Sequence, residues 1–288
     1  MHRIAGHRIM VTRALRTAVF SLTLFGIAGA ACAAEPASGD VVEIFSAGSL
    51  RGVVSDLSAA ASSELHIQLK ATFGGSGTLR ERVEKGEHPD LLLSADLQSP
   101  RRLEALRLTS LPPMAFARNR MCLVSRGDAA LTDSSLIDRL LSPALRVKTS
   151  TPVADPSGDY AWALFDRIDR MRPGAAARLK SKAQAAMKLA ATPANPGQSA
   201  TAALFAAHQI DVAITYCSAS TNLLREIPGL VSLAAPAALE PHPVYGLALV
   251  SNKPAAARIA LFLLSEKGQA IIARNGLLPL IDTDSKTR

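Results

Sequence analysis

Aromatic residues are scarce in this 288-residue chain, which has one Trp and three Tyr and is 4% aromatic overall. So few rings argue against a stacking platform for single-stranded nucleic acid and against a sugar-binding wall. Charged residues make up only 19% and hydrophobic residues 48%, which excludes a chain that is mainly disordered. The length predicts two modest domains with cores of their own.

Half of the net charge of +8 comes from the N-terminus, where four Arg precede an uncharged stretch, 17–34. This stretch closes with Ala31-Cys32-Ala33, an A-x-A cleavage site, so we predict that residues 1–33 are a cleaved signal peptide and that the protein is periplasmic. A membrane span and a lipoprotein anchored through Cys32 are the alternatives. The remaining chain has 28 basic and 24 acidic residues, and no basic run that would track a nucleic acid backbone.

Cysteine and histidine are also few. After cleavage Cys122 and Cys217 remain, and the sequence leaves open whether they pair in an oxidising compartment or stay as two buried thiols. The four remaining His residues are not paired at metal-ligand spacing, so we expect no zinc site and no cofactor.

Strand-like and helix-like segments alternate along the mature chain. Strands are predicted at 41–46, 66–73, 90–95, 121–125, 211–216, 229–233 and 244–251, with helices at 50–63, 79–86, 97–106, 254–264 and 265–275. The repetition of strand, loop and helix indicates an α/β fold with a parallel sheet covered on both faces.

Three strand-to-helix junctions combine small residues with a hydroxyl group. They are Ser46-Ala47-Gly48-Ser49, Gly74-Gly75-Ser76-Gly77-Thr78 and Asp155-Pro156-Ser157-Gly158. Free backbone N–H groups and the positive end of a helix make such junctions natural anion sites, and ligands of open α/β sheets lie at the carboxyl ends of strands. Ordinary helix capping explains the same residues, so the pattern alone leaves both readings open. The second junction also approaches a hydrolase elbow around Ser76, although Thr78 replaces the last Gly of G-x-S-x-G.

Together with further segments, these junctions resemble the molybdate-binding periplasmic receptors of ABC transporters, from about Val41 to Leu280. The further segments are Asp90-Leu91-Leu92-Leu93-Ser94-Ala95-Asp96, Phe116-Ala117-Arg118-Asn119, Asp211-Val212-Ala213-Ile214-Thr215-Tyr216, Tyr245-Gly246-Leu247-Ala248 and Leu264-Ser265-Glu266-Lys267-Gly268-Gln269. Each segment is weak evidence alone, and their shared order and spacing carry the resemblance.

The resemblance implies an α/β fold of two lobes, each a mixed sheet flanked by helices, joined by a hinge that closes on the ligand. Lobe one is then 38–116 plus 246–288 and lobe two 120–243, with crossovers near Arg118–Asn119 and Tyr245. The implied function is capture of molybdate or tungstate and delivery to a membrane permease with its ATPase, by a monomer without enzymatic activity.

Carried over residue by residue, the implied oxyanion donors are neutral groups. They are the hydroxyls of Ser49 and Ser76, the N–H of Ser157, a loop donor at Gln198 and the phenol of Tyr216.

Gly48 departs from the Ala often found before the first Ser of the family, and either Asp155 or Asp159 could face the pocket and repel an anion. Receptors for sulfate or a small carboxylate, a ligand-sensing domain without transport and a secreted serine hydrolase using Ser76 are the alternatives.

Overall fold

The computed structural model describes residues 40–190, 192–193 and 196–281. The predicted signal peptide lies outside these residues, as do Asn195 of the predicted loop 195–199 and the polar tail 282–288. None of the helices within the described residues is long and apolar enough to cross a membrane.

The first sheet is built mainly from the N-terminal part of the chain. It contains β1 (Asp40–Ala47), β2 (Ile67–Gly74), β3 (Leu91–Ser94), β4 (Met114–Arg118) and β9 (Val244–Leu249), in the order β2-β1-β3-β9-β4. β1 pairs in parallel with β2 and β3, whereas β9 is antiparallel to β3 and β4. The expectation of a purely parallel sheet is therefore wrong, because the last strand returns from the other sheet and enters between two strands in the opposite direction.

The second sheet contains β5 (Met121–Arg126), β6 (Val147–Lys148), β7 (Val212–Tyr216) and β8 (Leu230–Ala234), in the order β6-β7-β5-β8. β6 and β7 are parallel, and β5 is antiparallel to both β7 and β8. Both sheets are thus mixed, and they are flanked by helices, as the resemblance implies.

The helices follow the strands in chain order. They are α1 (Arg51–Ala60), α2 (Ser76–Glu84), α3 (Gln98–Ala105), α4 (Leu136–Leu141), α5 (Pro156–Met171), α6 (Ala175–Met187), α7 (Ala200–Ala206), α8 (Cys217–Glu226), α9 (Pro254–Leu264) and α10 (Glu266–Arg274). A 3-10 turn, Gly48–Leu50, leads into α1, and a π-helical turn, Ala61–Leu65, follows it.

The chain passes from the first sheet to the second between Arg118 and Met121 and returns between β8 and β9. The apolar side chains of both sheets contribute to a continuous buried core, in which Phe116, Leu123 and Tyr245 are fully covered. The residue limits of the two predicted lobes stay a prediction.

Cys122 and Cys217 form a disulfide bond within the second half of the fold, with a Cα–Cα distance of 4.8 Å. Cys122 lies in β5 and Cys217 directly follows β7, and antiparallel pairing places the two strand ends side by side. Of the two readings that the sequence left open, the structure has the paired one.

Candidate functional site

A cavity of about 340 Å³ lies between the two sheets, at the starts of four helices. Its wall begins with Ala47, Gly48 and Ser49 before α1 and with Gly74 and Gly75 before α2. The part of the chain that forms the second sheet contributes Asp155 and Ser157 at the start of α5, and Tyr216 and Ser218 at the start of α8. The wall is completed by Arg51, Gly52, Ser150, Thr215, Ala219 and Asn222. The cavity therefore collects the positive ends of several helix dipoles.

The local sequence explains why these helices begin at the cavity. α8 follows β7 directly, α2 is separated from β2 by Gly75 alone, and no side chain caps the N–H groups at either start. In α5, by contrast, Pro156 occupies the first helical position and the carboxylate of Asp155 accepts the Ser157 N–H at 3.0 Å. In the first turns of α8 and α2 the Cys217 N–H donates to the Arg120 carbonyl oxygen at 2.8 Å and the Thr78 N–H to that of Ala154 at 3.3 Å. The other N–H groups of the two first turns are left for an anion, as at helix N-terminal anion sites.

Ser49 is the first predicted donor in the cavity wall, and a chain of hydrogen bonds orients it. The Asn119 side-chain amide donates to the Tyr245 hydroxyl at 3.0 Å, and that hydroxyl lies 3.1 Å from Ser49 Oγ. Tyr245 is completely buried, and Ser49 Oγ is the acceptor available to its proton among the described residues. Since a buried O–H group needs an acceptor, Tyr245 donates to Ser49, and the Ser49 proton is left to point into the cavity.

The orientation of the Asn119 amide is set by its other contacts. Its Oδ1 accepts the Arg120 N–H at 2.9 Å, and its Nδ2 donates to Ser218 Oγ at 2.8 Å as well as to Tyr245. Asn119 lies where the chain leaves the first sheet, so this network connects the crossover with both walls of the cavity.

Ser157 is the second predicted donor in the cavity wall, but the atom left for a ligand is its Oγ and not the predicted backbone N–H. Its N–H, which the resemblance implies as the donor, is bonded to Asp155, whereas its Oγ is buried without a hydrogen-bond partner. The residue has only 3% of its surface exposed and lines the cavity. A buried hydroxyl that lacks a partner loses its hydration energy without compensation, so this atom is suited to receive a ligand.

Tyr216, the third predicted donor in the wall, already uses its proton. Its hydroxyl donates to the Ala95 carbonyl oxygen at 3.0 Å, which connects the end of β7 to the loop after β3 in the first sheet. Burial raises the pKa of Tyr216 well above that of a free phenol, and the neighbouring Tyr245 raises it further. The phenol is therefore neutral and ties the two sheets together beside the cavity.

Ser76 and Gln198 lie outside the cavity wall. Ser76 is completely buried, and its Oγ accepts the Ala95 N–H at 3.0 Å, while the preceding Gly74 and Gly75 line the cavity. Full burial makes Ser76 unsuited to attack a substrate as a hydrolase nucleophile. Gln198 is half-buried just before α7, and its neighbour Ser199 lines an adjoining cavity. The structure thus brings together Ser49, Ser157 and Tyr216 of the five predicted residues.

Charged groups also stand at the cavity. Arg51 and Asp155 both line it, and the Arg51 guanidinium lies 4.3 Å above the ring of Phe73. Asp155 caps α5 and also lines the cavity, so the capping role and the position at the cavity that the sequence suggested both apply to it.

Asp159, by contrast, accepts the Val153 N–H at 3.0 Å. Burial raises the pKa of its carboxyl, and Asp96 and Asp155 add to the shift. No cluster of His, Cys, Asp and Glu suited to a metal ion occurs within the described residues.

The sequence does not predict that Asn119, Tyr245 and Arg51 belong to the cavity and its hydrogen-bond network. Asn119 and Tyr245 lie in segments that carry the resemblance, and Arg51 lies two residues after the first junction. The contacts of Tyr245 with Asn119 and Ser49 join residues 126 and 196 positions apart, which no local pattern encodes.

Residues 42–278 match the model of a family described as bacterial extracellular solute-binding protein. The match covers most of the chain, and the chain therefore belongs to the bacterial extracellular solute-binding proteins, receptors of the ABC-transporter type. An uncharacterised protein of Pasteurella multocida is 39% identical over 145 residues, which are 50% of this chain and 60% of that protein.

Solved structures with this fold bind different ligands. The sulfate-binding protein SubI of Mycobacterium tuberculosis has a TM-score of 0.67 and 18% identity, with 84% of this chain and 88% of that one covered. The periplasmic molybdate-binding protein of Azotobacter vinelandii has a TM-score of 0.62 and 18% identity, covering 82% and 98%. PEB3 of Campylobacter jejuni with L-phospholactate has a TM-score of 0.61 and 13% identity, covering 82% and 99%. At these identities the similarity establishes the fold alone.

Proposed function

We propose that this receptor captures molybdate or tungstate in the cavity between the two sheets and delivers it to a membrane permease with its ATPase. The observation that carries the proposal is the convergence of four helix starts on one cavity that also holds the unpartnered Ser157 hydroxyl. The proposal includes export by the predicted signal peptide 1–33, a periplasmic location and action as a monomer.

The cavity supplies donors that suit a tetrahedral oxyanion. Ser49 directs its proton inward, Ser157 Oγ lacks a partner, and no side chain caps the starts of α2 and α8, where the N–H groups other than those of Thr78 and Cys217 remain as donors. Each hydrogen bond to a charged oxygen contributes roughly 1.5–3 kcal/mol, so a few of them suffice for tight binding. Because these donors accept any tetrahedral oxyanion, we expect selectivity among such anions to come from the size of the closed cavity.

Thermal melts of the purified protein test the proposal, with molybdate, tungstate, sulfate and phosphate at equal concentration. A ligand present at about 100 times its Kd stabilises the fold by roughly 2.7 kcal/mol. At about 2–4 °C per kcal/mol for a chain of this size, the melting temperature rises by roughly 5–10 °C. We expect this rise with molybdate and tungstate, whereas a shift with sulfate or phosphate alone would replace the ligand and no shift with any anion would refute an oxyanion receptor.

A receptor for another small anion, such as sulfate or a carboxylate, is the second candidate. Arg51 favours it, because a guanidinium at the cavity wall is a strong bidentate partner for sulfate, phosphate and carboxylate groups. The volume also favours a larger ligand, since four water-sized oxygens fill only about 120 Å³ of the 340 Å³. Competition of these anions against bound molybdate in isothermal titration separates the two candidates.

A further inference from the structure

A second cavity of about 190 Å³ adjoins the first. The two share part of their walls, namely Ser150, Thr215, Ala219 and Asn222. The second cavity extends from this shared wall into the second sheet and is lined further by Lys148, Thr149, Ser199, Thr201, Ala213, Ile214, Leu223 and Glu226. A group attached to an anion in the first cavity can therefore continue into the second.

The strand register places Lys148 close behind the shared wall. Lys148 pairs with Ala213 in the parallel strands β6 and β7, and Ser150 and Thr215 follow two residues later on each chain segment. Two residues of extended chain span about 6.6 Å, which three or four covalent bonds of a small ligand can bridge. The Lys148 residue thus lines the second cavity about two residues along the chain from the shared wall, a separation that a small molecule held in the first cavity can span.

The Lys148 ammonium can donate more hydrogen bonds than it makes. Its half-buried ammonium donates to the Thr149 carbonyl oxygen at 3.3 Å, and an ammonium has three donors. In the described part of the chain the lysine ion pairs belong to Lys180, Lys253 and Lys267. Burial lowers the pKa of Lys148, and the carboxylate of Asp155 partly opposes this shift. A partly desolvated cation without a direct counter-ion, facing a cavity, attracts an acidic group.

Glu226 is the acidic residue of the second cavity, and it is engaged elsewhere. Its Oε2 accepts the Ser199 N–H at 2.8 Å, at the start of α7. Glu226 lies one helical turn, about 6 Å, beyond Asn222 of the shared wall, so it stands at the far end of the cavity. Among the residues that the structure describes, Glu226 forms no ion pair with Lys148, so Lys148 is the basic residue of this cavity that lacks a direct carboxylate partner.

We propose that the cavity at Lys148 is a second anion subsite, which binds the second acidic group of a small organic molecule that carries two acidic groups. The first acidic group occupies the cavity of Ser49 and Ser157, so this inference rests on the anion receptor proposed above and deepens its second candidate. A bare tetrahedral oxyanion fills the first cavity alone and leaves Lys148 unused.

Isothermal titration with two matched ligands tests the subsite, because glycerol 3-phosphate has one acidic group and 3-phosphoglycerate has a carboxylate in addition. We expect the wild-type protein to bind 3-phosphoglycerate about 10- to 100-fold more tightly, the gain from one charge-assisted contact. Lys148→Met should abolish this preference and change the affinity for glycerol 3-phosphate less than threefold.

Lys182→Met is the control, since Lys182 is also half-buried, donates to backbone carbonyls of Leu140 and Ser142, and lies at a different cavity. This variant should keep the wild-type preference. Equal affinity of the wild-type protein for both ligands, or a preference that survives Lys148→Met, overturns the subsite. If molybdate binds and neither organic anion does, the subsite is refuted while the oxyanion receptor stands, and if no anion binds, both proposals fail.

Discussion

Within the described part of the protein, the Ser157 hydroxyl lacks the hydrogen-bond partner that a purely structural side chain would have. The side chain is buried at the cavity, and its Oγ has no partner, whereas its backbone N–H is used to start α5. A hydroxyl kept for stability would be expected to donate to a neighbouring acceptor. The unpartnered Ser157 hydroxyl therefore costs folding free energy, which the anion of the proposed function would offset.

Replacing Ser157 by Ala should have opposite effects on stability and binding. Removal of a buried, unpartnered hydroxyl leaves the free energy of unfolding unchanged or raises it by up to about 1 kcal/mol. The same change removes a hydrogen bond to the anion and should weaken binding by roughly 1.5–3 kcal/mol. Chemical denaturation of the empty protein and titration with the anion identified by the melts measure the two effects.

Ser125→Ala is a matched control for this variant. Ser125 is also buried with an unpartnered Oγ, and it lies in β5 outside the cavity wall. We expect it to leave both stability and anion affinity close to those of the wild type. A Ser157→Ala receptor that binds as tightly as Ser125→Ala would exclude the hydroxyl from the site.

For single residues, the sequence predicts which side chains lie near the cavity better than it predicts which atoms those side chains contact. The junction motifs located Ser49, Ser157 and Tyr216, because small residues after a strand mark the start of a helix at the edge of a sheet. The atom that each residue offers depends on remote partners. Ser76 turns to the Ala95 N–H and Tyr216 to the Ala95 carbonyl, and Ala95 follows a strand that neither residue adjoins in sequence.

At the scale of the elements, Gly75 before α2 and Gly77 within it allow the start of α2 to pack directly against the backbone of residues 153–154. A Cβ atom at Gly77 would lie 1.6 Å from the Val153 carbonyl oxygen, and one at Gly75 would lie 2.2 Å from that of Ala154. The Thr78 N–H donates to the same Ala154 oxygen at 3.3 Å. These two glycines are therefore needed because they admit backbone oxygens from the segment before α5.

Gly77→Ala should force these segments apart and open the cavity. Overpacking of this kind costs about 1–3 kcal/mol, and here the cost falls on the contact between α2 and residues 153–154, which the proposed closure on the ligand would require. We expect anion affinity to fall at least about tenfold and small-angle X-ray scattering to give a larger radius of gyration at equal anion concentration.

Gly127→Ala is its control, because a Cβ at Gly127 meets nothing within 4 Å. If Gly77→Ala and Gly127→Ala bind and scatter alike, the contact between α2 and residues 153–154 has no part in closure.

The element pattern itself was largely predictable. Short apolar runs, and alternation in the case of β2, located β1, β2, β3, β5, β7, β8 and β9 to within a few residues. β4 was missed because Met114–Arg118 follows two prolines and has a mixed pattern, and β6 has only two residues. The antiparallel direction of β9 was not predictable locally, since it depends on where the chain returns from the other sheet.

The disulfide bond constrains the molecule over a long stretch of chain. Cys122 and Cys217 are 95 residues apart, and the segment between them includes α4 to α7 and most of the second sheet. Closing a loop of this length restricts the unfolded chain, which stabilises the folded one.

The double variant Cys122→Ala/Cys217→Ala should therefore lower the free energy of unfolding by roughly 2–5 kcal/mol. Circular dichroism melts measure the change, and a reducing agent should lower the melting temperature of the wild-type protein while leaving that of the double variant unaltered. Identical melting temperatures for the oxidised wild-type protein and the double variant would contradict this role.

The direction of the hydrogen-bond chain from Asn119 through Tyr245 to Ser49 has a consequence for the ligand's own acidity. Each group in this chain directs its proton toward the cavity, so the Ser49 hydroxyl presents its proton there, although its oxygen keeps a second lone pair that can accept. For the proposed anion, the hydrogen bond from Ser49 is charge-assisted when the ligand is ionised and loses that assistance when the ligand takes up a proton. We therefore expect the affinity for a weak acid to fall as the pH drops below that acid's own pKa, so the acidity of the medium sets how much of it the protein captures.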